Sequence, residues 1–251
     1  MEDFFILHQG LDREGPGSAG STRQALSLVT DLPPDAVVLD IGCGPGAQTL
    51  VLAKALPQAR IIAVDLHDQF VTELNRRAAA AGVAGRVHAV VGDMAFLPAV
   101  LEEAGVDVVD LLWCEGAAYV LGFERALEQW RPLLRPGGRL ALTEAVWTAP
   151  TVPRAVRDYW QTEYPDLQIA QTRRAQIAAA GYQRIGDFTL PVADWEAYYG
   201  PLRTRLDRLR GDPALAGVVA AHDEELAVFD SGGATSVGYQ FFVMRRLHPQ
   251  I

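Results

Sequence analysis

Lysine is almost missing from this chain. Lys54 is the only lysine among 22 basic residues, and 31 acidic residues leave a net charge of −9. A nucleic-acid-binding protein normally presents a basic face, so this balance argues against a DNA or RNA partner. Cysteine is nearly as scarce. Cys43 and Cys114 are the only two and form no C-x-x-C pair, so neither a zinc site nor a disulfide framework is expected, and no metal ligand set stands out. No apolar run reaches the length of a membrane span. The N-terminal stretch MEDFFILHQG is acidic and short of apolar residues, unlike a secretion signal. A cytoplasmic protein with no membrane partner is the expectation. Internal repeats and low-complexity tracts are absent as well. The preference for arginine over lysine fits a GC-rich genome better than any particular function.

What is present is an ordinary globular composition, 49% hydrophobic and 21% charged over 251 residues. That length can bury one large core, as one elaborated domain or two small ones. The most informative stretch is VVLDIGCGPG, from Val37 to Gly46. Val37, Val38, Leu39 and Ile41 form the short apolar run of a strand buried on both faces. Gly42 allows the turn out of the strand, Gly44 lets a ligand approach the backbone, and Gly46 lets the following helix pack closely. The helix start then offers N–H groups and a partial positive charge. Gly42, Gly44 and Ala47 also satisfy G-x-G-x-x-G/A, the dinucleotide fingerprint, so the turn alone does not choose its ligand.

The remainder alternates between strand and helix. The segment Gly10–Gly20 carries too much glycine for regular structure, and reads either as a mobile loop or as a lid over a ligand. Ser21 and Gln24 have capping-box spacing ahead of a helical stripe, Ala25, Leu28, Val29 and Leu32, ended by Pro33-Pro34. After the glycine turn a helix runs to Leu56. The second strand, Arg60–Asp65, ends in an acid nineteen positions past Gly46, where a ribose-binding acid or a helix cap is expected. A helix over His67–Gly82 precedes a third strand, Val87–Val91, and then Gly92-Asp93-Met94. Asp93 reads as an acceptor for an adenine amino group beside Met94, or as an Asx turn. A fourth strand, Val106–Leu112, ends in Trp113-Cys114-Glu115-Gly116. A helix over Phe123–Leu134 and a tight Arg135-Pro136-Gly137-Gly138 turn lead into a fifth strand, Arg139–Ala145. Aromatic-rich helices follow, then a sixth strand over Tyr182–Leu190, two further helices and a last strand from Val237. Such alternation predicts a parallel sheet with helices on both faces.

Taken together, LDIGCGPG, the acid closing IIAVD, the GDM triplet and LLRPGGRLAL resemble the class I S-adenosylmethionine-dependent methyltransferases. The resemblance spans residues 35–145. The REGPGS loop, WCEGAAYVLGFERAL and WEAYYGPL are similar to a narrower bacterial subgroup that acts on small molecules. The resemblance implies an α/β, Rossmann-like, seven-stranded, mostly parallel sheet whose last strand is antiparallel. It implies one domain over residues 1–251: an N-terminal helical flap over 1–34, a cofactor-binding core over 35–148, and substrate-side helices with an insertion and the C-terminal strand over 149–251. S-adenosyl-L-methionine is then the cofactor. Carried over by residue, Asp40, Gly42, Gly44 and Gly46 line its methionine part, with Cys43 contributing backbone. Asp65 binds the ribose, Leu66 lies against the adenine, Asp93 and Met94 hold the adenine, and Gly17 and Ser18 approach the methionine carboxylate.

Methyl transfer by in-line displacement asks mainly for alignment, which can supply roughly 7–11 kcal/mol of a barrier. A general base is needed only where the acceptor must lose a proton. Glu115, Tyr119 and Tyr199 are the leading candidates for acceptor chemistry, with Glu144 and Tyr198 behind them. Glu115 and Glu144 follow strand ends, where such sheets bind ligands. Trp147, Trp160 and Trp195 are candidates to wall an apolar acceptor pocket, while His8 reaches the site only if the flap folds over it. A nicotinamide-dependent oxidoreductase on the same glycine turn is the alternative enzyme, and a non-catalytic S-adenosylmethionine binder the alternative without chemistry. The partner expected is a small-molecule acceptor, with a homodimer through the insertion helices.

Overall fold

The apolar run Val37–Ile41 becomes β1, and everything else is placed relative to it. The computed structural model describes residues 2–248, with side chains from Phe5 onward. The strands are β1 (Val37–Ile41), β2 (Arg60–Asp65), β3 (Val87–Val91), β4 (Val109–Cys114), β5 (Leu134–Trp147), β6 (Gln168–Ile169), β7 (Tyr182–Thr189) and β8 (Val237–Arg246). The helices used below are α1 (Glu2–His8), α2 (Ala19–Ser27), α3 (Ala47–Ala55), α4 (Asp68–Ala80), α5 (Leu97–Glu103), α6 (Ala118–Leu121), α7 (Phe123–Trp130), α8 (Arg154–Glu163), α9 (Ala170–Ala179), α10 (Val192–Leu209) and α11 (Ala216–Val228).

The sheet runs in the order β3-β2-β1-β4-β5-β8-β7. β1 is parallel to β2 and β4, and β8 lies antiparallel between β5 and β7. The expected seven strands are all on this path. The two-residue β6, which pairs with the far end of β5, was not foreseen.

Alternation of side chains across β1 sends Val38 into one layer and Leu39 and Ile41 into the other. The first layer also holds Ile61, Leu111, Trp113 and Phe241, and Ala25 of α2 and Leu52 of α3 close it. The second holds Leu112, Leu142 and Phe242 beneath Leu101 of α5, Phe123 and Trp130 of α7 and Ile177 of α9. A third core lies outside the sheet: Leu7, Val156, Trp195, Tyr198, Tyr199, Leu202 and Phe229 join α1, α8, α10 and α11. α10 and α11, which lie between β7 and β8 where an insertion is expected, both belong to it.

Some boundaries differ from the sequence reading. β4 starts at Val109, and β5 starts at Leu134 because the Arg135–Gly138 turn lies within the strand as an irregularity. Val109 pairs with Leu134 and Leu111 with Arg139, so the turn residues loop out, with Gly137 at φ +77°. α2 ends at Ser27, and its cap is Ser18, whose Oγ accepts from the Ser21 amide, so the capping pattern at Ser21 is not used.

This topology locates the ligand. From β1 the chain moves outward to β2 and β3, then returns past β1 to β4 and β5. Connections leave β1 and β4 in opposite directions, which opens a crevice at the carboxyl ends of those two strands.

Candidate functional site

A cleft of about 250 Å³ occupies that crevice. Four strand ends wall it: Gly42–Pro45 after β1, Val64–His67 after β2, Gly92–Met94 after β3 and Glu115–Val120 after β4. Arg13–Pro16 of the N-terminal segment and Phe70 of α4 complete it. Expected residues Gly42, Cys43, Gly44, Asp65, Leu66, Asp93, Met94, Glu115 and Tyr119 all face this one space.

The glycine turn is fully committed to holding its own shape. Gly42 and Cys43 amides donate to the Val64 carbonyl, and the Gly44 amide donates to Asp65 Oδ2 at 2.9 Å. A Cβ on Gly42 would lie 2.4 Å from the Ala117 Cβ, so only glycine lets the β4 loop cross here. Asp65 Oδ1 accepts from the His67 amide at 3.0 Å. A carboxylate has about four acceptor positions, so Asp65 keeps lone pairs for a diol while bracing the turn. It braces the loop ahead of α4, whose cap is His67, and stands on the cleft wall. Asp93 is likewise double: Oδ1 accepts from the Ala95 amide at 2.8 Å, an Asx turn, while the residue lines the cleft. Leu66 is 61% exposed, an apolar plate at the cleft's edge.

Four expected cofactor residues are displaced from the wall. Asp40 is 0% exposed and points behind the turn, where the Thr49 hydroxyl donates to it at 2.6 Å and Gln48 at 3.4 Å. Burial pushes its carboxyl up to about 7 against those hydrogen bonds. Gly46 makes room for Leu74 of α4, whose Cδ1 would lie 2.2 Å from an added Cβ. Gly17 makes room for Arg13, and Ser18 caps α2, so the segment presents Arg13–Pro16 to the cleft in place of Gly17 and Ser18. The REGPGS loop contained the signal, but its charged half lines the cleft and its small half forms the hinge into α2.

Arg13 and Glu115 strap this segment down. Arg13 donates to Glu115 Oε2 at 2.8 Å, while Thr22 and the Trp113 indole donate to Glu115 Oε1 at 2.7 and 2.9 Å. With three donors on it, Glu115 is a hydrogen-bonded anchor at the cleft wall. Beside it, Glu14 Oε2 contacts His8 Nδ1 at 2.6 Å, and Glu14 Oε1 is buried with no hydrogen-bond partner among the described residues.

The other expected catalytic groups diverge. Tyr119 borders the cleft, 47% exposed, and partial burial with Glu225 and Glu144 nearby pushes its hydroxyl up, so it stays protonated near neutrality. Tyr199 is a correction: it lies in the third core and donates to Glu225 Oε1 at 2.8 Å, outside the cleft. Tyr198 packs beside it. Glu144 is buried and bound by the Tyr164 hydroxyl at 2.5 Å and Arg173 at 3.1 Å; burial pushes it up to about 7. Burial also raises the Cys43 thiol well above its ordinary value, which leaves Cys43 no nucleophilic role.

Charge separates the two cofactor classes. The cleft is walled by Glu14, Asp65, Asp93 and Glu115, with Arg13 already paired. A pyrophosphate would meet carboxylates and find the Gly42, Cys43, Gly44 and Gly46 amides all donating internally. A sulfonium and an ammonium fit the same field, and the orphaned Glu14 oxygen suits a donor such as an amine or hydroxyl.

Residues 38–138 match the family model described as a methyltransferase domain. These residues are a methyltransferase domain, and they carry the motifs that resemble the class I S-adenosylmethionine-dependent enzymes. The chain is 28% identical over 245 residues to the trans-aconitate 2-methyltransferase of Azoarcus sp. (strain BH72), covering 84% of this chain and 83% of that protein. It is 31% identical over 159 residues to an uncharacterized 37.1 kDa protein of a transposon from Streptomyces fradiae, of which it spans only 40%. Its fold matches an S-adenosylmethionine-dependent methyltransferase from Thiobacillus denitrificans, solved with S-adenosyl-L-homocysteine, at a TM-score of 0.81 and 22% identity over 96% of each chain. The methyltransferase fold thus extends beyond the matched core to the flanking helices, and the cofactor of the family is S-adenosyl-L-methionine.

Proposed function

We propose that this chain transfers the methyl group of S-adenosyl-L-methionine to a small-molecule acceptor by in-line displacement. The observation that carries this reading is the acid-walled cleft at the β1/β4 crevice, where Asp65 braces the glycine turn and still faces the cleft. When bound, the cofactor supplies an already electrophilic methyl on a cationic sulfur, so the chain's task is binding, alignment and exclusion of water. Asp65 takes the ribose hydroxyls, Leu66 and Met94 sandwich the adenine, and Asp93 accepts from its amino group. Gly42, Cys43 and Gly44 run along the methionine part. Arg13, held on Glu115, closes the N-terminal segment over that end. Tyr119, on the cleft wall and held protonated as a phenol, would orient the acceptor by donating a hydrogen bond.

Calorimetry tests the reading: S-adenosyl-L-homocysteine is expected to bind in the micromolar range and NAD to give no heat. Heat with NAD alone would reverse the choice, and tight binding with no methyl transfer to any acceptor would leave a binder. The same reading covers one domain over residues 1–251 with the flap, core and substrate-side parts assigned above. The net charge of −9 supports a protein without a nucleic-acid partner. A homodimer through α10 and α11 is checked by sedimentation. Among the described residues no helix is long and apolar enough to cross a membrane.

A further inference from the structure

The N-terminal segment brings one acid into the cleft that no strand end supplies. Glu14 lies on the cleft wall and follows Arg13, whose guanidinium is paired with Glu115. Its stem crosses the glycine turn: a Cβ added to Gly44 would meet the Glu14 Cγ at 3.5 Å, an ordinary contact. That turn is the stretch assigned above to the methionine part of the cofactor. The acid expected there from the sequence, Asp40, is withdrawn behind the turn onto Thr49 and Gln48. Glu115 is taken up by Arg13, Thr22 and the Trp113 indole, and Asp65 and Asp93 stand after β2 and β3. Glu14 is thus the acid of this wall that stands over Gly44.

The two oxygens of Glu14 differ. Oε2 lies 2.6 Å from His8 Nδ1, and His8 Nε2 lies 3.2 Å from His222 Nε2. His222 donates from Nδ1 to the Val218 carbonyl at 2.8 Å, one turn back along α11. His8, on α1, is buried. These contacts fix Glu14 from two helices, α1 and α11, and occupy Oε2. Oε1 is buried and has no hydrogen-bond partner among the described residues. A buried acceptor left without a donor is costly, and a carboxylate oxygen more so than a neutral one. A donor that brings positive charge removes that cost better than a neutral donor does. The methionine part of the cofactor carries such a group, its α-ammonium.

We propose that Glu14 Oε1 takes the α-ammonium of S-adenosyl-L-methionine, and that His8 and His222 are the residues that position Glu14 for it. The proposal rests on the methyltransferase reading and adds a recognition residue that comes from the N-terminal segment and not from the sheet. The cofactor then helps to fasten that segment: Arg13 holds it to the end of β4, and Glu14 holds it to the ligand.

Calorimetry on the full chain tests this with two ligands, S-adenosyl-L-homocysteine and its deaminated analogue, in which hydrogen replaces the amino group. The wild type is expected to bind S-adenosyl-L-homocysteine about tenfold or more tighter than the analogue. Glu14→Gln should bring the two within about twofold of each other, by weakening the homocysteine ligand and leaving the analogue unchanged. His222→Leu removes the His8–His222 contact from outside the cleft wall, and should narrow the difference in part, while His222→Gln restores it. Equal affinity of the wild type for the two ligands overturns the proposal without any variant having to fold. A difference that survives Glu14→Gln, including an equal loss for both ligands, overturns it as well. An unchanged difference in His222→Leu overturns the positioning role. Each of these results leaves the methyltransferase reading standing when S-adenosyl-L-homocysteine binds; failure of that ligand to bind the wild type sinks the reading itself.

Discussion

Asp65 shows how one side chain braces a turn and walls a cleft at once. Its two oxygens hold the Gly44 and His67 amides while the residue remains on the cleft wall. Hydrogen bonds to a charged group contribute about 1.5–3 kcal/mol each. Asp65→Ala is therefore expected to weaken S-adenosyl-L-homocysteine by at least about tenfold, measured by calorimetry. Tyr119 belongs to the same scale. Its hydroxyl, pushed up by partial burial and by Glu225 and Glu144, is a donor and not a base. Tyr119→Phe is expected to raise KM for the acceptor about tenfold with no shift in the pH profile of kcat, the loss of one neutral hydrogen bond. A pH profile displaced by the substitution would instead mark Tyr119 as a proton acceptor.

Among elements, the α3–α4 contact is the most sharply constrained. Gly46 has φ +93°, and a Cβ there would overlap Leu74. Overpacking typically costs about 1–3 kcal/mol, and the left-handed backbone adds about 1–2 kcal/mol for a residue with a Cβ. Gly46→Ala should lower Tm clearly and weaken the cofactor, because α3 carries the turn with it. Gly82→Ala, at φ +70° with nothing within 4 Å, isolates the backbone part and should cost less. Equal losses in the two variants would show that the Leu74 contact is unimportant. The Arg13–Gly17 stretch is an element of a different kind: without regular structure, it is held to the end of β4 by Arg13 on Glu115 and to α10 by the Gly17 amide on the Asp194 carbonyl at 3.2 Å.

At the scale of the molecule, buried acids set the pH response. Asp40, ordinarily near 3.8, is pushed to about 7 by burial, so between those values the native state holds a proton that the unfolded chain has released. Stability from this group is fully present below about 3.8 and is lost as pH rises through about 7. Glu144 is displaced the same way and contributes with the same sign. Thermal melts from pH 5 to pH 8 should show Tm falling, by an amount on the order of a few kcal/mol in stability. Asp40→Asn, which can keep its contacts with Thr49 and Gln48, should flatten part of that fall. A wild-type Tm that rises over the same range would contradict the assignment.

The sequence by itself determined the alternation, the glycine turn and the acids after β2 and β3. Those follow from local spacing: apolar runs make strands, glycines permit positive φ, and an acid at a parallel strand's end reaches the crevice. It also determined the antiparallel last strand, through the resemblance carried by LDIGCGPG and LLRPGGRLAL. Only the tertiary structure decided which side of a wall each residue takes. Asp40 sits two residues before Gly42 and on paper lines the ligand, but the alternation of β1 aims it at Thr49. Tyr199 and Glu225 are 26 positions apart and meet only when α10 and α11 fold together. Arg13 becomes a cleft residue because Glu115, over a hundred positions away, supplies its counter-charge. Such pairings depend on the packing of distant elements, and local spacing carries no record of them.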